Sequence, residues 1–160
     1  MLIEHEGRSP DVDPDAWVGV MEQALLRGRA DHPVSIGAHV IVGPHAHVNG
    51  ASVGDGAFLA TGTSIFPGAR VGAGAEIRIN GVVHVNSVVA DGGLVPIGWV
   101  AVGDPAEILA AERHEEIWAI QRELDFPGTV LGVARGTSAA EITRGYADLC
   151  GRHRDDQVID

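Results

Sequence analysis

VGDGAFLATGTSIFPGARVGAGAEIRINGVVHVNSVVADGGLVPIGWVA, residues 53–101, returns an apolar residue at every sixth position: Val53, Leu59, Ile65, Val71, Ile77, Val83, Val89, Val95 and Ala101. Four residues after each of the first seven stands a small one: Ala57, Thr63, Ala69, Ala75, Gly81, Ser87 and Gly93. An α-helix needs a period near 3.6 and a half-buried strand a period of 2, so neither carries this pattern. A three-sided coil does. Each hexapeptide makes one flat face, with the large residue filling the core and the small one tucked inside the corner.

The register begins earlier, at Ile36, Val42 and Val48, and then steps by five residues to Val53. Stacking rung on rung predicts three inner columns: Ile36/Val53/Val71/Val89, Val42/Leu59/Ile77/Val95 and Val48/Ile65/Val83/Ala101. The five-residue step is absorbed by one shortened corner. The predicted fold class is an all-β solenoid of hexapeptide repeats followed by C-terminal α-helices. Residues 1–103 form the solenoid with an extended N-terminal lead-in, and 104–160 a helical extension packed on it.

The chain has 160 residues, 45% of them hydrophobic, enough for one continuous core. Its 22 glycines suit many tight corners. A net charge of −11 argues against binding nucleic acid through phosphate neutralisation. The lone Cys150 excludes an internal disulfide framework and fits a reducing compartment. The N-terminus MLIEHEGRSP lacks a basic-then-apolar leader, and no run reaches the roughly 20 apolar residues of a membrane span. A cytoplasmic protein with no nucleic-acid or membrane partner is expected.

Outside the repeats, residues 1–18 read as extended, Val20 to Leu26 as a first imperfect coil, and RGRADHP (27–33) as a loop thrown out of the solenoid. Asp104-Pro105 is a helix-start signal, predicting a helix from about Pro105 to Leu124 with Ile117, Ile120 and Leu124 on one stripe. DFPGTVLGV (125–133) reads as extended. Ser138 and Glu141 form a capping-box signature for a second helix ending near Cys150, before a frayed tail.

The segments SPDVDPDAWV, PVSIGAHVIVGPHAHVNGASVGDGAFLATGTSIFPGARVGAGAEI and PIGWVAVGDPAEIL resemble the gamma-class carbonic anhydrase family. The resemblance implies a left-handed parallel β-helix, a helix packed beside it, and a homotrimer whose active sites lie between subunits. It also implies a zinc ion held by three histidines, two from one chain and one from its neighbour. The matching positions here hold Arg27, Pro44 and Asn49. Arg and Pro do not bind zinc, and Asn is a poor ligand for an ion that favours imidazole or thiolate. No cofactor is therefore expected at those positions. A zinc ion relocated to His45 and His47 is the alternative.

Residues flanking a core position point outward, because alternate residues face opposite sides of a strand. His47 and Asn49 flank Val48; His84 flanks Val83 two rungs on, with Phe66 between. One reading is a polar pocket between subunits that takes a small carboxylate or bicarbonate-like anion. His84 and Glu22 would be its acid and base; Arg27, Asn49, Arg78 and His47 would be its ligand-binding groups. The plain alternatives are a hydrogen-bonded seam between subunits and an Arg78–Glu76 salt bridge. On the same solenoid, an acyltransferase using acyl-coenzyme A, with His84 offered as a catalytic histidine in a groove between subunits, or a noncatalytic assembly protein, are the competing functions.

Overall fold

The structure, a computed structural model, describes residues 16–151. The lead-in before residue 16 and the tail after 151 lie outside that range, as do His5 and His153. Fifteen short strands come first in the chain: Gly19–Val20 (β1), Leu25–Arg27 (β2), Ser35–Ile36 (β3), Ile41–Val42 (β4), His47–Asn49 (β5), Ser52–Val53 (β6), Phe58–Leu59 (β7), Ser64–Ile65 (β8), Arg70–Val71 (β9), Glu76–Ile77 (β10), Val82–Val83 (β11), Val88–Val89 (β12), Leu94–Val95 (β13), Val100–Val102 (β14) and Glu107–Leu109 (β15). Helices His114–Gln121 (α1) and Ala139–Gly151 (α2) follow.

The strands build three faces of a parallel β-solenoid. The first face stacks β1, β4, β7, β10 and β13; the second β2, β5, β8, β11 and β14, with β15 on its far edge; the third β3, β6, β9 and β12. The pairing register reproduces the three predicted columns residue for residue. Ile36 pairs with Val53, Val53 with Val71 and Val71 with Val89. Val42, Leu59, Ile77 and Val95 follow one another on the first face, and Val48, Ile65, Val83 and Ala101 on the second. The imperfect first coil belongs to the same stack, with Val20 beneath Val42 and Leu26 beneath Val48. These side chains and the small corner residues Ala57, Ala69 and Ala75 form one buried core.

Apart from the loop between β2 and β3, each face turns into the next through a residue at positive φ. Glycine fills most of these positions, while Gln23, His39, His45, Asn80 and Asn86 adopt the same conformation at φ of 59°, 57°, 56°, 55° and 53°. Strand after strand, the corner amide of one rung donates to a carbonyl of the rung below, as Gly62 N does to Pro44 O at 2.9 Å. The backbone is thus satisfied where the chain bends.

Beyond Val102 the structure departs from the sequence reading. The segment after Asp104-Pro105 is not helical. The chain reverses at Gly103, whose φ of +105° no helix residue adopts, and returns as β15, antiparallel to β14. The last rung leaves an unpaired strand edge, and satisfying that edge outweighs the local helix-start signal. Ala106 and Ile108 then close the upper end of the core. The helix begins only at His114, and Ile117, Ile120 and Leu124 share one stripe that packs on the solenoid, against Val100, Val102 and Leu109. Residues 125–133 are not extended either: Pro127–Leu131 form one wide helical turn between Asp125 and Gly132, both at positive φ. The second helix begins as read, with Ser138 and Glu141 capping each other: Ser138 Oγ donates to Glu141 Oε2 at 2.6 Å, and Glu141 N donates to Ser138 Oγ at 3.3 Å.

Candidate functional site

Parallel pairing fixes which outward side chains stand above one another. On the second face one outward column runs Arg27, Asn49, Phe66, His84; the neighbouring one runs Leu25, His47, Ser64, Val82. The sequence-predicted group of Arg27, Asn49, His47 and His84 therefore does share one face. Its members differ in exposure: Arg27 is exposed, Asn49 and His47 are half-buried, and His84 is buried, at 7% of its full surface.

His84 is covered by the chain itself. Its ring stacks on Phe66 at a centroid distance of 5.6 Å, nearly parallel, and Phe126 packs on it at 5.8 Å and on Phe66 at 6.1 Å. Its Nδ1 is buried without a hydrogen-bond partner. Removal from water disfavours the imidazolium, so the pKa of His84 lies below the ordinary histidine value. The Nε2 of His47, on the same face, is likewise buried and unpartnered. Phe126 covers Phe66 and leaves it half-buried; Val82 on the same face is half-buried too.

The remaining candidates stand elsewhere on the chain. Arg78 flanks Ile77 on the first face and pairs with Glu76 at 2.5 Å, the plain alternative foreseen for it. Glu22 and His45 meet at the corner between the first and second faces, where His45 N donates to Glu22 O at 3.2 Å, and both side chains are exposed. Within one chain neither reaches His84. His45 and His47 lie in one segment but differ in direction, since His45 sits on the corner and His47 on the face. No group of three His, Cys, Asp or Glu side chains able to hold a metal occurs among the described residues. With Arg27, Pro44 and Asn49 at the family's ligand positions, the donor set does not fit zinc.

Sequence reasoning missed the elements that cover the site. Asn86 Nδ2 donates to Leu124 O at 3.0 Å and to Thr129 Oγ1 at 2.9 Å. From the opposite end of the solenoid, Arg29 donates to Val130 O at 3.0 Å and also to Thr129 O. These bonds hold the segment that carries Phe126. The signal available in the sequence was small: of only three phenylalanines, two meet at His84.

No family profile matches the chain, and no curated protein matches it. Among solved structures it is similar to a truncated serine acetyltransferase apoenzyme, with 23% identity and a TM-score of 0.43 over 57% of this chain and 43% of that one. A serine acetyltransferase from Neisseria gonorrhoeae matches at 22% identity and a TM-score of 0.44, over 58% of this chain and 41% of that one. The PerB protein of Caulobacter crescentus, in complex with CoA and GDP-perosamine, matches at 21% identity and a TM-score of 0.33, over 59% and 57%. The chain thus spans about half the length of these structures. All three TM-scores lie below 0.5, and the parallel β-solenoid described above rests on this chain's own strand pairing. None of these three structures is named as a gamma-class carbonic anhydrase. Among the described residues no helix is long and apolar enough to cross a membrane.

Proposed function

We propose that the protein is a hexapeptide-repeat acyltransferase in which His84 takes the proton of an amine or hydroxyl acceptor as that group attacks the thioester of an acyl-coenzyme A. The observation that carries this reading is the state of the imidazole, buried, disfavoured as a cation and with Nδ1 unpartnered. A general base must be unprotonated at the working pH and have a nitrogen to offer; the lowered pKa of His84 and its unpartnered Nδ1 support it in that role. The acceptor's N–H or O–H proton passes to His84 as its N or O bonds to the thioester carbonyl carbon. The tetrahedral intermediate collapses with cleavage of the C–S bond, and the departing thiolate takes up the proton.

Arg27 stands two rungs of the column away from Phe66 and is open to solvent, which suits an anionic group of the donor. Asn49 beside it would fix that group by hydrogen bonding. The assembly would be a homotrimer, in which a neighbouring chain supplies Arg78, Glu22 or His45 to this face. Carbonic-anhydrase chemistry is less well supported, because the side chains at the zinc positions are not zinc ligands.

The test is to titrate CoA and acetyl-CoA against wild type, Arg27→Ala and His84→Ala by thermal shift, and to follow thiol release with a panel of amines and hydroxy compounds. CoA should stabilise wild type and His84→Ala, and Arg27→Ala less. Thiol release should fall roughly 10²- to 10⁴-fold in His84→Ala. Stabilisation by bicarbonate or acetate but not by CoA would return the small-anion reading. No stabilisation by any of them would leave the noncatalytic assembly role.

A further inference from the structure

Residues 122–132 descend the second face from the upper end of the solenoid to its first rung. Above, α1 is fixed by Ile117, Ile120 and Leu124 on Val100, Val102 and Leu109. Below, the segment ends on Arg29, which sits in the loop thrown out between β2 and β3 and lies 101 residues away in sequence from Val130. Among the described residues, the side-chain hydrogen bonds that tie this segment to the solenoid come from Asn86 and Arg29 alone. Between these two clasps Phe126 lies on His84 and Phe66.

The segment is also bracketed by two torsional pivots. Asp125 has φ of +50°, a conformation that costs a non-glycine residue, and Gly132 has φ of +68°. Within the bracket Asp125 Oδ1 accepts from Gly128 N at 3.3 Å, so the turn is braced on itself. A self-braced turn between two pivots, tied down by two side chains, can move as a unit. What it uncovers is one of the few buried, unpartnered polar atoms among the described residues, His84 Nδ1.

We propose that residues 125–132 are a strap that gates His84: closed, Phe126 seals the imidazole; with the Arg29 clasp and the Asn86–Thr129 bond released, the strap swings about Asp125 and Gly132 and opens a path to Nδ1. This rests on the reading of His84 as the base that the acceptor must reach. It adds that access, as well as chemistry, limits that base. Arg29 and Asn86 are positioning residues that act through Phe126.

The experiment is carbethoxylation of the full chain by diethyl pyrocarbonate, read at each histidine by peptide mass spectrometry. His114, exposed at the start of α1, is the internal reference. In wild type, His84 should react more slowly than His114 by roughly tenfold or more, the factor that about 1.4 kcal/mol in an opening equilibrium represents. Arg29→Ala and Asn86→Gly, the latter keeping a residue that accepts positive φ, should each speed His84 several-fold and leave His114 unchanged. Phe126→Ala should speed it with both clasps intact. A wild-type His84 as reactive as His114, or no acceleration in any of the three variants, overturns the strap. Because the readout is modification and not turnover, it stands apart from the acyl-transfer assay. A gated His84 without thiol release would keep the strap and remove the acyltransferase.

Discussion

His84 ties the local chemistry to the stability of the fold. Its pKa in the folded chain lies below the ordinary value of 6.5 because burial between Phe66 and Phe126 disfavours the charged ring. Below about pH 6.5 the unfolded chain binds a proton that the folded chain refuses, so folding stability should decline as pH drops through that value. The decline should level off once pH passes below the folded pKa. Urea midpoints measured from pH 8 to pH 5 should fall in wild type and fall less steeply in His84→Gln; equal slopes would show that His84 is not the titrating group. Position 84 could be placed on an outward column from the sequence, since the hexapeptide register fixes direction. Its burial could not, because the ring that covers it comes from residue 126.

Corners repay the same attention. Gly68 and Gly74 both turn the chain, at φ of +75° and +64°, yet they differ in surroundings. A Cβ on Gly68 would meet the side-chain oxygen of Asn86, whereas one on Gly74 would meet nothing within 4 Å. Gly74→Ala should therefore cost about 1 kcal/mol, the left-handed backbone penalty alone. Gly68→Ala should cost roughly 1–2 kcal/mol more, since it displaces Asn86 from Leu124 and Thr129. Chemical denaturation of the two variants checks the order, and equal losses would mean that Asn86 yields freely.

At the level of elements, the regular strands were legible because each inner position is chosen by the same neighbour above and below. The five-residue step from Val48 to Val53 did not obscure them, since the next column still lands Val53 on Ile36. Residues 103–131 were not legible for the opposite reason: their conformation is decided by what the solenoid leaves unsatisfied. The free edge of β14 draws Glu107–Leu109 into a strand against a local preference for a helix start. The wide turn at Pro127–Leu131 is held by Arg29 and Asn86, partners too distant in sequence for any local pattern to report. The Ser138–Glu141 cap, a purely local device, was read correctly.

Across the whole molecule, the described residues leave one end well covered and several apolar surfaces uncovered. At the lower end Val20, Leu26 and Ile36 line an open cavity of about 1010 Å³. Near the upper end, at the corner between the first and second faces, Ile79 and Ile97 stand on successive rungs, 45% and 65% exposed. Leu94 and Trp99 flank Ile97 in sequence and are 50% and 37% exposed. Together they form an apolar stripe of the kind that a soluble chain keeps for an interface. Three copies around an axis parallel to the solenoid would bury the stripe symmetrically and bring one chain's corner, with His45 and Glu22, towards another chain's second face. Light scattering at micromolar concentration should give about three times the 16.7 kDa chain mass. The double variant Ile79→Asp/Ile97→Asp should shift this to a folded monomer, because charge in the centre of a buried patch is far costlier than charge in water. A wild-type monomer would remove the inter-chain groove, and with it any part for Arg78, Glu22 or His45 in the site. A trimer that survives both substitutions would move the interface to another face.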